Sequence, residues 1–398
     1  MPKLIFAKPS RPLVFGILTT LLVVGACELV LRAATTRTGA VERLLGKPWY
    51  YLVPFDLPDA MPSVVPEPGA YRVYDPDLGW TLGRFGKSEP LYFSDRDGVR
   101  CSRQAFERQS REAGPAGADT AASTRHAVDV VALGDSFTHG DEVSFEDAWP
   151  TRLAAGGLDV LNLGVGGYGI DQAILRYEKT PVDASVVILG LIAGDLERAQ
   201  SQIYNLSRGG LKSKPLFVFE NGKARLENRP AVHGEALRRE LDLGAESPLL
   251  RRERIFGPRL YQRHVWDGLY LLRVPYSLWV AADYRPPPIL TTPGPNHEHS
   301  LQILQYGKDL ATSRGARFLV VLLGNNNTFA LRSTLDDPWT LFKKSLERAE
   351  IDFLDTSPSL YAIYRDEPGR VINVSGVHYT PQANELVARQ VETYLTAP

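Results

Sequence analysis

The stretch VDVVALGDSFTHG, residues 128–140, carries an unbroken apolar run to Leu133 and then turns through a glycine, an acid and a serine, with a histidine three places on. An apolar run without strict alternation fits a strand buried on both faces, as in a parallel sheet covered by helices. Four more runs have this character: LDVLNL (158–163), SVVILGL (185–191), RFLVVLL (317–323) and IDFL (351–354). Helical patterns fall between them. Asp171 opens DQAILRYEKT, and HSLQILQYGKDLATSRG closes at Gly315, placed as a C′ glycine just before a strand. The last helix has Thr380 as N-cap and Pro381 at its first position, with Ala383, Val387, Val391 and Leu395 along one face. These features predict an α/β three-layer domain from about 126 to the end, with a central parallel sheet of about five strands.

One segment breaks the alternation. Residues 200–297 exceed what a crossover needs and read as an insertion. Within it Asn221-Gly222 separates two strand-like arms in FVFENGKARLE, a hairpin signal. A basic stretch, LLRRERIFGPRLYQR, and an aromatic one, VPYSLWVAADY, follow. The arginines read as a solvated helix face, with a lid contacting sugar or polyanion as the alternative. Residues 36–125 form a proline-rich extension with short strand-like pieces such as YRVYD and LYFSD, ending in the linker AGPAGADTAAST (113–124).

The first 35 residues differ in kind. Lys3, Lys8 and Arg11 precede an uncharged run from Leu13 to Cys27 that continues past Glu28 to Leu31. Its length of about 19 residues suits a spanning helix, with Glu28 near the far interface where a carboxylate reaches water. The basic flank predicts a cytoplasmic N-terminus, with everything after Arg32 on the other side. A cleaved signal peptide and a lipoprotein signal ending at Cys27 are the competing readings. Only Cys101 belongs to the exported part, so an internal disulfide is ruled out there. Over 398 residues the formal net charge is -1. That balance gives no nucleic-acid footprint, and no His/Cys/Asp cluster has metal-ligand spacing, so neither metal nor other cofactor is expected.

Ser136 follows a buried strand at the sheet edge where open α/β folds bind ligands. A hydroxyl there can attack if a base takes its proton, although Gly-Asp-Ser is also an ordinary turn sequence. NLGVGGYG (162–169) holds four glycines in eight residues, which lets backbone N–H groups face a cavity as in an oxyanion hole. A phosphate loop would need a Lys-Ser/Thr pair that is missing. VSGVHYTPQAN (374–384) puts His378 two residues before the last helix cap, at the same edge, as a general base requires. His139, three residues past Ser136 at a helix start, is expected to point away.

With these blocks in place, the region from about 127 to 398, apart from the insertion, resembles the SGNH (GDSL-like) hydrolases, which use a serine nucleophile on a flavodoxin-like domain. YDPDLGWTL (74–82) also looks like the lead-in segment of membrane-anchored members. The resemblance implies Ser136 as nucleophile and, with Gly167, as backbone oxyanion donor, and His378 as base, with Asp135 in support. Two positions depart from the family pattern: Gly194 stands where an asparagine is usual, and Ser375 where an aspartate is usual three residues before the histidine. Asn326, within the run 325–327, is a candidate substitute donor. For the ring's partner the sequence leaves Ser375, Asp355 or no partner at all. The implied function is an extracytoplasmic esterase or O-acyltransferase on ester-linked acyl groups, with O-acetylated cell-surface polysaccharide the favoured substrate. The alternative is a catalytically silent domain that binds a glycan or an assembly partner.

Overall fold

The computed structural model describes residues 11–35, 69–113, 126–204, 212–252, 254, 264–283, 288–332 and 334–397. From residue 114 onward the expected linker lies outside the described residues, as does most of the basic stretch 249–263.

Five parallel strands form the central sheet: β1 (His126–Gly134), β2 (Val160–Asn162), β3 (Val182–Leu191), β4 (Arg317–Leu322) and β5 (Asp352–Asp355). Their spatial order is β2-β1-β3-β4-β5, the flavodoxin-like arrangement. Each strand feeds two cores, which explains the unbroken apolar runs. Val131 and Leu133 face one side with Val187, Leu189, Val320 and Leu322, beneath the helices Ile170–Lys179 and Pro295–Ser313. Val130 and Ala132 face the other side with Ile188, Leu319 and Val321, against Trp149, Val387 and Val391 of the helices Trp149–Ala155 and Pro381–Thr396. The β1–β2 crossover thus covers one face and the β2–β3 crossover the other. The C-terminal end of β1 lies at the switch point between them.

The extension shares a core with the sheet. Its strands Arg72–Asp75 and Gly79–Leu82 pair antiparallel, and Lys87–Ser88, Tyr92–Ser94 and Arg100–Cys101 form a second small sheet. Tyr71, Leu78, Trp80, Leu82 and Val99 are buried with the residues of one sheet face. Gln172 Nε2 donates to the Leu78 carbonyl at 2.7 Å, and Arg176 Nη2 to that of Gly98 at 2.6 Å.

The insertion contains the expected hairpin, Leu216–Glu220 with Lys223–Glu227, whose Asn221 and Gly222 both take positive φ as a two-residue turn demands. Its Lys214 is buried in an ion pair with Asp171. Asp171, read above as a helix-opening acid, is fully buried in the first turn of its helix.

Residues Arg11–Thr35 form one helix, of which Arg11–Ala33 is long and apolar enough to cross a membrane. Glu28, expected to reach water, instead accepts the N–H groups of Tyr270 and Leu271 at 2.9 Å each. It thereby caps the insertion helix Tyr270–Asp283.

Candidate active site

β1 ends at Gly134, and Asp135 caps the short helix Ser136–His139 by accepting the Phe137 N–H at 2.8 Å. The cap fixes the turn that presents Ser136. Its Oγ lies 2.8 Å from His378 Nε2 and 3.3 Å from Asp135 Oδ2. His378 arrives on a tight loop closed by the Asn373 N–H donating to its carbonyl at 2.9 Å and by the Ile372–Tyr379 bridge. Phe137 packs against both His378 and Tyr379, and Tyr379 Oη donates to the Gly324 carbonyl at 2.5 Å. The loop is therefore braced against the turn that follows β4.

The second ring nitrogen meets a residue that the sequence did not single out. His378 Nδ1 lies 2.7 Å from Glu142 Oε1. A carboxylate only accepts, so Nδ1 carries the proton and Nε2 is left to accept from Ser136. Burial raises the Glu142 carboxyl, but hydrogen bonds from the His378 ring and from the N–H groups of Val377 and His378 outweigh it and hold the carboxyl below its ordinary value. The carboxylate passes so close to Gly376 that a Cβ there would collide with it.

The extension shapes the Glu142 loop. Tyr92 Oη accepts the Glu142 N–H at 2.8 Å. Arg100 donates to the carbonyls of His139, Gly140 (2.8 Å) and Val143 (2.7 Å). His139 is buried and points away from Ser136, as expected: its Nε2 meets Tyr71 Oη at 2.6 Å, and its Nδ1 faces Asp141 Oδ1 at 2.5 Å. Burial lowers its pKa to about 4, so the ring is neutral at pH 7.

The glycine turn after β2 is held to the Ser136 helix by Asn162, whose Nδ2 donates to the Thr138 carbonyl at 3.0 Å. Gly167 has φ +85° and packs under the Tyr204 ring, where a Cβ would stand 2.8 Å from the phenol. Neither its N–H nor that of Ser136 is taken up by an acceptor among the described residues, although both residues are buried. Unpaired buried amides are rare, and such groups suit an oxyanion.

Three candidates from the sequence lie elsewhere. Ser375 is exposed, and Glu142 holds the place it would have filled beside the ring. Asp355 is engaged by Lys343 Nζ at 2.9 Å and by Ser357 Oγ at 2.6 Å. Asn326 is exposed, while its neighbour Asn325 is spent capping the helix Asn326–Leu331 through the Thr328 N–H. Asp135 stays at the site and is joined there by Arg198, which sequence reasoning missed. Arg198 Nη1 donates to Asp135 Oδ2 at 2.9 Å, to Asp195 Oδ1 at 2.5 Å and to the Tyr168 carbonyl at 3.1 Å.

A serine whose hydroxyl meets an imidazole nitrogen, backed by a carboxylate and flanked by N–H groups that no described residue accepts from, has the parts needed for acyl transfer. The serine turn after β1, the glycine turn after β2 and the histidine before the last helix come in the order that the sequence resemblance implied, on a sheet of flavodoxin-like strand order. Among solved structures, the chain is similar to a member of the lipolytic protein G-D-S-L family from Veillonella parvula, with 12% identity over 68% of this chain and 100% of that one, at a TM-score of 0.34. It is also similar to a variant of an acetyl-xylooligosaccharide esterase from Geobacillus, with 10% identity over 70% of this chain and 98% of that one, at a TM-score of 0.36. An alpha/beta hydrolase enzyme from the metagenome of Lake Arreo, Spain, gives 12% identity over 69% and 99%, also at 0.36. No family model matches the chain, and the comparison with curated proteins found no match.

Proposed function

We propose that the protein is a serine ester hydrolase or O-acyltransferase in which Ser136, His378 and Glu142 act as nucleophile, base and ring-orienting acid. The observation that carries this reading is the unbroken chain of contacts from Ser136 Oγ through His378 to Glu142. Ser136 Oγ attacks the ester carbonyl while its proton passes to His378 Nε2, and Glu142 stabilises the imidazolium. The N–H groups of Ser136 and Gly167 receive the carbonyl oxygen as it becomes anionic. The protonated ring then hands its proton to the leaving alkoxide. Water attacking the acyl-serine completes hydrolysis, and a sugar hydroxyl at the same step completes transfer. An O-acetylated cell-surface carbohydrate is the substrate class that the sequence resemblance implies. The N-terminal helix supplies the membrane anchor in this reading, with the catalytic part outside the cytoplasm.

The full-length protein in detergent micelles, given an aryl acetate, tests the chemistry. Turnover that disappears in Ser136→Ala supports the enzyme; a folded wild type with no turnover points to the catalytically silent alternative that binds a glycan or an assembly partner. Retention in the membrane pellet after alkaline extraction supports the anchor, and release into the soluble fraction contradicts it.

A further inference from the structure

The oxyanion site as drawn has two backbone donors and no side-chain donor, because Gly194 carries none. The guanidinium of Arg198 lies beside this gap. A Cβ built on Gly194 would stand 3.7 Å from Arg198 Nη2 and 3.8 Å from Cζ, so the arginine head fills the space into which a longer side chain at 194 would extend. Its position is fixed from three sides through Nη1 alone, by Asp135, Asp195 and the Tyr168 carbonyl. Two of these anchors belong to the site. Asp135 Oδ2 is the same oxygen that Ser136 Oγ approaches at 3.3 Å, and Tyr168 follows Gly167 directly. The head therefore bridges the serine turn and the glycine turn, and Nη2 donates to none of the described residues.

We propose that Arg198 supplies the side-chain oxyanion donor that Gly194 leaves out. The inference rests on the reading of Ser136 as nucleophile. As the Oγ–carbon bond forms, the carbonyl π pair moves onto oxygen, which the two N–H groups and Arg198 Nη2 face. On collapse that pair restores the C=O, the ester C–O bond breaks, and the alkoxide takes its proton from His378. A charge-assisted donor is stronger than a neutral amide, so one arginine compensates for an absent asparagine. The exchange also explains why residue 194 is small: an asparagine there would compete with the guanidinium for one space. Asp195, which shares Arg198 with Asp135, is pushed well above the usual carboxylate range by burial and then by the charge of Asp135.

The test is steady-state turnover of an aryl acetate by full-length wild type, Arg198→Ala, Arg198→Lys and the double variant Arg198→Ala/Gly194→Asn. Removing the donor is expected to lower kcat about 10²- to 10³-fold, the loss seen when one oxyanion donor is deleted, with KM nearly unchanged. Arg198→Lys keeps a cation for Asp135 and Asp195 but lacks the second nitrogen. It is expected to stay folded and still lose kcat, which a purely structural arginine would not require. Added guanidinium, or the asparagine at 194, is expected to restore part of the loss in Arg198→Ala. A kcat equal to wild type in Arg198→Lys, with no rescue of Arg198→Ala, overturns the inference alone. A wild type that turns over no ester overturns the reading of Ser136 and this inference with it.

Discussion

Glu142 takes φ +68°, a left-handed conformation that costs a side-chain-bearing residue roughly 1–2 kcal/mol. The carboxylate gains hydrogen bonds from the His378 ring and from two backbone N–H groups, all on the loop that carries the histidine. Glu142→Gln keeps the volume and the hydrogen-bonding reach but loses the charge that fixes the ring tautomer. Its kcat is expected to fall about 10⁴-fold, as when a triad carboxylate becomes an amide, and its melting temperature at pH 7 to drop modestly as the ionised carboxylate's contribution is lost. The folded carboxyl lies below its ordinary value of 4.5, so its contribution to stability is present above that pH and is lost as pH falls through the folded value. Acid unfolding of Glu142→Gln, followed by circular dichroism, should accordingly be less steep than that of wild type. Ser136 and His378, which lie 2.8 Å apart, were legible because one follows a strand end and the other precedes a helix cap, whereas Gly167 was implied by the resemblance alone. Glu142 was not legible, since a positive-φ loop after the nucleophile has no spacing rule and its carboxylate reaches the ring from a segment 236 residues away in the chain.

At the scale of elements, the extension and the insertion both touch what positions the site. Arg100 and Tyr92 shape the Glu142 loop, and Tyr71, His139 and Asp141 lie side by side beneath it. The His139 pKa is lowered from 6.5 to about 4, so the unfolded chain binds a proton there that the folded one does not. Stability therefore declines as pH falls from 6.5 towards 4, and His139→Asn should flatten that part of a denaturant-midpoint profile against pH. The insertion is pinned by the buried pair Lys214–Asp171. Lys214→Ala leaves Asp171 buried without its partner and is expected to cost about 3–5 kcal/mol by denaturant unfolding, whereas an exposed lysine such as Lys87 should cost little. None of this was legible from local pattern. Asp171 and Lys214 are 43 residues apart and pair only once the fold brings them together. By contrast the Asn221-Gly222 hairpin and the Thr380-Pro381 helix start were legible, because their chemistry is local.

Over the whole molecule, five apolar runs at crossover spacing were enough to give the sheet, since a strand facing two cores has little freedom in composition. Strand ends moved by at most three residues, most at the start of β3, which begins at Val182 and not at Ser185, while LDVLNL yields only Val160–Asn162. The N-terminal helix was visible as a run of apolar residues, but its tie to the insertion through Glu28 and Tyr270 was not. That tie joins a helix long enough to span a membrane to the insertion helix Tyr270–Asp283. In the proposed function these parts converge on one activated serine, Ser136. That function is tested most directly by treating the full-length protein with a fluorophosphonate and locating the adduct by mass spectrometry. A single adduct on Ser136 in wild type, formed far more slowly in Glu142→Gln and His378→Ala, is the result expected. A folded wild type without an adduct on Ser136, or equal labelling rates in all three proteins, would contradict it.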